Sequence, residues 1–168
     1  MRREDKTHQP ETQNQSPLSA QNVEFLTAHN QEELPDWADM TALASFLHHK
    51  MKPYHDTQPD VKRGLEYAFS SSEGKDGFVI LAGLQERLVG AVVILHTGMG
   101  GYVPEHLLLF VAVDPELRSQ GIGGRLIKRA LAKCDGHVKL HVEPDNPALR
   151  LYKRLGFENK YLEMRYQK

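Results

Sequence analysis

Residues Arg118 to Arg125 read Arg-Ser-Gln-Gly-Ile-Gly-Gly-Arg. A continuously apolar run, Leu107–Val113, leads into them, and an amphipathic segment follows. That is a strand passing through a glycine-rich turn into a helix. Three glycines in four residues are costly near a helix start unless the backbone itself must approach something. A helix start offers unpaired N–H groups and the positive end of the helix dipole, so the turn suits an anion, above all a phosphate. Arg118 and Arg125 flank it with side-chain charge.

The spacing removes two phosphate chemistries. A nucleotide P-loop needs Gly-Lys-Ser/Thr, and no lysine stands in this turn. A dinucleotide turn needs Gly-x-Gly-x-x-Gly, and Leu126 stands where the third glycine would be. The net charge of −1 offers no general attraction to nucleic acid. The single cysteine, Cys134, allows no internal disulfide, fits a reducing cytoplasm, and has nothing beside it that would activate it.

The elements that would hold the turn follow from periodicity. Val23–Ala28 alternates weakly as a first strand. Trp37, Met40, Leu43, Ala44 and Leu47 fall at helical spacing behind Asp36 as N-cap. Val61, Leu65, Ala68 and Phe69 mark a second helix. Phe78–Leu84 and Leu88–Leu95 form a hairpin across a three-residue link. Leu107–Val113 predicts a strand buried on both faces. After the glycine turn and its helix come strand 137–142, a short helix and a last strand, Tyr161–Tyr166. The expectation is a mixed α/β domain with helices on both faces of one sheet, over residues 22–168. Residues 1–21, rich in Gln, Ser, Thr and Pro, read as a flexible tail without the apolar core of a secretion signal. No run approaches the roughly 18 apolar residues of a membrane helix.

With Asn146-Pro-Ala-Leu-Arg-Leu-Tyr152-Lys-Arg-Leu-Gly-Phe157 downstream of Arg118-x-x-Gly121-x-Gly123, the chain resembles the GNAT superfamily of N-acetyltransferases. The resemblance spans Val111 to Phe157. It implies a mostly antiparallel sheet with a central strand splay and acetyl-CoA as the acyl donor, with no metal. Backbone groups of Val111, Ala112 and Val113 would take the pantetheine arm. The N–H groups of Ser119, Gln120, Gly121, Ile122, Gly123 and Gly124 would take the pyrophosphate, with Arg118 and Arg125 nearby. Many relatives carry a basic residue where this chain has Gln120. Asn146, or Asp145 beside it, matches the position near the pantetheine amide; an N-cap role is the other reading of Asn146. Tyr152 matches the tyrosine that protonates the leaving thiolate, and packing is its other reading. The N–H of Val113, or one near it, would stabilise the oxyanion.

The attacking amine must lose a proton. His141 is the first candidate base and Glu143, which shares its face by strand alternation, the second. Glu105 and His106 come third. The cluster of His48, His49, His55 and Asp56 has no standard metal spacing; with Tyr54 it lies where relatives line the acceptor site, and His96–Tyr102 is a second candidate wall. The acceptor is a small-molecule or peptide amine. Asp56, Glu105 and Glu143 would suit a polyamine. Nucleic acid and membrane are not expected as partners, and many relatives pair as homodimers. A non-catalytic acyl-CoA-binding regulator on the same fold is the alternative.

Overall fold

The computed structural model describes Ala20–Lys168, so most of the expected tail lies outside the described residues. The sheet has five strands in chain order: β1 (Glu24–Ala28), β2 (Gly77–Leu84), β3 (Arg87–His96), β4 (His106–Val113) and β5 (Val138–Leu140). The first four pair antiparallel, and β5 runs parallel to β4. Gln85 and Glu86 turn the β2–β3 hairpin, both at positive φ (52° and 55°), as a two-residue link matched to strand twist requires.

Helices cover both faces. α1 (Met40–Lys50) and α2 (Gln58–Ala68) pack Leu43, Leu47, Val61 and Leu65 against Val79, Leu81, Ala91 and Phe110. α3 (Ile122–Lys133) and α4 (Leu149–Arg154) close the other face, with Ile122, Leu126, Ile127 and Tyr152 against Ile80, Val92, Ile94 and Leu108. The apolar residues of each helix recur at three- and four-residue spacing, which is why each buries one stripe. Among the described residues, no helix is long and apolar enough to cross a membrane.

Four expectations are corrected. Asp39, not Asp36, caps α1, accepting the Ala42 N–H at 2.8 Å; Trp37 lies in a separate 3-10 turn. The strand expected over 137–142 is confined to Val138–Leu140, because only there does β4 supply a partner. Residues 161–166 form no strand; Tyr161, Leu162, Met164 and Tyr166 are exposed, so the alternating pattern has no ladder to join. β4 is not buried on both faces: fully and half-buried residues alternate along it.

The half-burial has a local cause. Val93 pairs with Phe110 and Ile94 with Leu108, so Leu109 is an extra residue, a bulge in β4. β4 pairs with β5 only over His106–Leu108, up to that bulge. Beyond it the two parallel strands separate, and the half of β4 running to Val113 has no neighbour on its β5 side. This is the splay.

Candidate active site

The open half of β4 exposes specific backbone groups. The Asp114 N–H donates to the Val89 carbonyl at 2.8 Å, toward β3. Alternation along the strand then turns the N–H and C=O of Val113 and Val111 toward the cleft, and those of Ala112 toward β3. Of the three residues expected to line the donor, Val111 offers a free N–H and C=O and Val113 its N–H, its carbonyl being taken by Arg118, while Ala112 packs at 5% exposure in the core below.

The glycine turn follows at the end of β4. Asp114 caps a 3-10 turn, Pro115–Leu117, accepting the Glu116 N–H at 3.2 Å. Ser119 (φ 63°) and Gly121 (φ 84°) are both left-handed, and Gly121 is the N-cap of α3. The first helical bond runs from the Arg125 N–H to the Gly121 carbonyl, 3.0 Å. The N–H groups of Ile122, Gly123 and Gly124 are therefore the orphan donors of the first turn. A Cβ on Gly123 would stand 3.5 Å from Leu151 and 3.6 Å from Val113, so the bare backbone lies between β4 and α4. Dipole and orphan donors together make an anion cradle at the mouth of the splay.

The flanking side chains bond to backbone groups of the protein. Arg118 donates from Nε to the Val113 carbonyl (3.2 Å) and from Nη2 to the Lys50 carbonyl (2.7 Å). Arg125 donates to the Ala20 carbonyl at 2.8 Å and lies 4.7 Å over the Phe25 ring. Gln120 accepts the Ala20 N–H at 3.3 Å. Arg125 and Gln120 thus fasten the segment entering β1 to the start of α3.

Tyr152 is 7% exposed and stacks edge-on with Phe157, ring centres 5.9 Å apart. Burial pushes its phenol up to about 12, so the proton stays on at any working pH. Asn146 accepts the Ala148 N–H at 2.9 Å through its side-chain oxygen, which supports the opening of α4.

The base candidates are scattered. His141 and Glu143 lie exposed beyond the end of β5, so strand alternation does not set their relation. Glu163 has its carboxyl held below the ordinary range by its bond to Arg165 and more weakly by the nearby charge of His141, which puts His141 beside the C-terminal segment. Glu105 accepts the His137 N–H at 2.8 Å, and His106 is buried with Nε2 2.9 Å from Asp135. Both stand where β4 and β5 are still paired.

Tyr54 is a better-placed group than its sequence context suggested. Its hydroxyl donates to the Asp145 carbonyl at 3.2 Å, joining the α1–α2 segment to the loop before α4. Burial, then the charges of Asp145 and Glu143, raise its pKa. His48, His49 and His55 cluster, with ring centres 5.0 and 4.9 Å apart on either side of His48, and each Nδ1 donates to a backbone carbonyl. Among the described residues, no group of three or more such side chains is placed to hold a metal ion.

Asp114 anchors this end of the sheet. It is 4% exposed and pairs with Arg87 at 2.8 Å and Lys50 at 3.5 Å. Burial pushes its carboxyl up, but Arg87, the Glu116 N–H and Lys50 together outweigh that and hold it low. Asp114→Ala should cost about 1–2 kcal/mol, the buried-pair figure discounted because both cations are partly exposed. A depressed pKa contributes stability above the unfolded value and loses it as pH falls. The melting gap between wild type and variant should hold from pH 8 to 6 and shrink below about pH 4; thermal melts across that range check it.

A sheet opened between two parallel strands, with a bare-backbone helix start at its mouth, defines a class: the fold of acyl-CoA-dependent acetyltransferases. The chain belongs to the acetyltransferase (GNAT) family, whose model matches residues 30–157. Solved structures agree on the fold. An aminoglycoside N-acetyltransferase AAC(6')-Iy in complex with CoA is 14% identical with a TM-score of 0.62, over 87% of this chain and 94% of that one. A GNAT family acetyltransferase from Streptococcus pneumoniae TIGR4 is 18% identical (TM-score 0.61; 87% and 98% covered). A ribosomal-protein-alanine N-acetyltransferase from Brucella melitensis biovar Abortus 2308 is 15% identical (TM-score 0.60; 87% and 99% covered). No curated protein matches the chain at a significant level.

Proposed function

We propose that the protein is an N-acetyltransferase that moves an acetyl group from acetyl-CoA to a primary amine by direct attack. The observation that carries this is the open half of β4 ending at the orphan amides of Ile122–Gly124. The Val111 backbone, with the Val113 N–H beside it, would pair with the pantetheine arm, and the cradle from Ser119 to Gly124 would hold the pyrophosphate. The amine nitrogen bonds to the acetyl carbon, charge develops on the carbonyl oxygen, and a cleft-facing N–H such as that of Val113 stabilises it. The C–S bond then breaks, and Tyr152 gives its proton to the thiolate. His141 or Glu143 takes the proton from the amine, directly or through water.

Mixing the protein with acetyl-CoA and a panel of amines, then measuring free thiol, tests this. The panel holds a polyamine, an aminoglycoside, free lysine and a peptide with a free N-terminus. Thiol release that depends on one amine class is the expected result. Tight CoA binding with no turnover on any amine would favour a non-catalytic acyl-CoA-binding regulator instead.

A further inference from the structure

Arg118 opens the motif that reads as a phosphate site, yet its guanidinium is engaged with protein. The Lys50 carbonyl it reaches is among the last four of α1, which have no intrahelical donor. The Val113 carbonyl is the last of β4 on the cleft side. Two carbonyls from different elements are bridged by one planar fork, a task the single ammonium of lysine does not reproduce. The contact closes a ring. Lys50 also pairs through its ammonium with Asp114, Asp114 caps the turn Pro115–Leu117, and that turn delivers Arg118. On one side of the ring lie Val113 and the cradle. On the other, Tyr54 follows Lys50 and reaches the Asp145 carbonyl in the loop before α4.

We infer that Arg118 is a positioning residue: its fork welds the end of α1 to the last cleft-facing carbonyl of β4, setting the donor backbone and the Tyr54 lip together rather than neutralising the pyrophosphate. This rests on reading the cleft as an acyl-donor site. The strap itself is a property of the free protein.

The test uses the full chain with Arg118→Lys and Arg118→Ala, and two donors: acetyl-CoA and S-acetylpantetheine, which lacks the phosphates. A positioning role predicts that both variants lose kcat on both donors by a similar factor, between about tenfold and a hundredfold, as misplacement of a reacting group costs. Lysine should rescue nothing. In the unliganded protein, amide hydrogen exchange should quicken at Met51–Tyr54 and over Val113–Ser119 in both variants, with circular dichroism unchanged. Near-wild-type rates in Arg118→Lys, or a loss confined to acetyl-CoA, would overturn the inference and return Arg118 to the phosphate. Unchanged exchange at both segments would overturn it on its own. A wild-type chain that binds neither donor would count against the cleft reading, while the exchange measurement still decides the strap.

Discussion

Gly121→Glu is expected to reduce CoA affinity by at least about a hundredfold while the protein stays folded. The residue is the N-cap of α3 at φ 84°, and nothing lies within 4 Å of a Cβ placed there. The substitution therefore meets no clash. It brings a left-handed strain of roughly 1–2 kcal/mol and a carboxylate tethered beside the orphan amides of Ile122–Gly124. That carboxylate would occupy or repel from the anion cradle. Gly121→Ala separates the two effects, since alanine carries the strain without the charge. The informative pattern is a Glu variant that melts no lower than the Ala variant, because a negative charge favours a helix start, yet binds CoA far more weakly. Calorimetric titration with CoA measures this, and wild-type affinity in the Glu variant would sink the cradle assignment.

Tyr152→Phe is expected to lower turnover by about a hundredfold, the low end of what a general acid supplies, with CoA affinity changed less than about twofold. The ring is buried and packs on Phe157, which phenylalanine preserves. Among the described residues the hydroxyl has no hydrogen-bond partner, so its removal orphans nothing, and stability should move by less than about 0.5 kcal/mol. The phenol sits up near 12, so a wild-type rate limited by this proton should show no alkaline decline on its account below about pH 11. Turnover unaffected by the loss of the hydroxyl would make Tyr152 a packing residue.

These two residues were legible in the sequence for different reasons. Gly121 declares itself through local chemistry: a strand, three glycines and a helix can only mean bare backbone. Tyr152 was visible through the resemblance of the segment Asn146–Phe157, with no local signal of its own. The bulge at Leu109 was not legible, because an apolar run reads the same with or without an extra residue; register is set by the partner strand. Nor was the exposed state of Tyr161–Tyr166 foreseeable from an alternating pattern, since alternation says which face would be buried and not whether an edge is offered.

The arginines carry the same lesson. Their charge beside a glycine turn suggested phosphate; which carbonyls each guanidinium meets in the free protein is set by packing. Arg118 found those on β4 and α1, and Arg125 found one at Ala20. The shared face read for His141 and Glu143 assumed a strand running past Leu140, and β5 ends there once β4 turns away.

By itself, then, the sequence determined the two-faced α/β domain and the bare-backbone helix start, which rest on local periodicity and on glycine's backbone freedom, and the family, which rests on the resemblance carried by Arg118–Gly123 and Asn146–Phe157. The tertiary structure decided where the sheet opens, which carbonyls Arg118 spans and that Tyr54 meets Asp145. Those depend on contacts between residues up to 91 positions apart, and such contacts are set by how faces pack and not by any residue's neighbours in the chain.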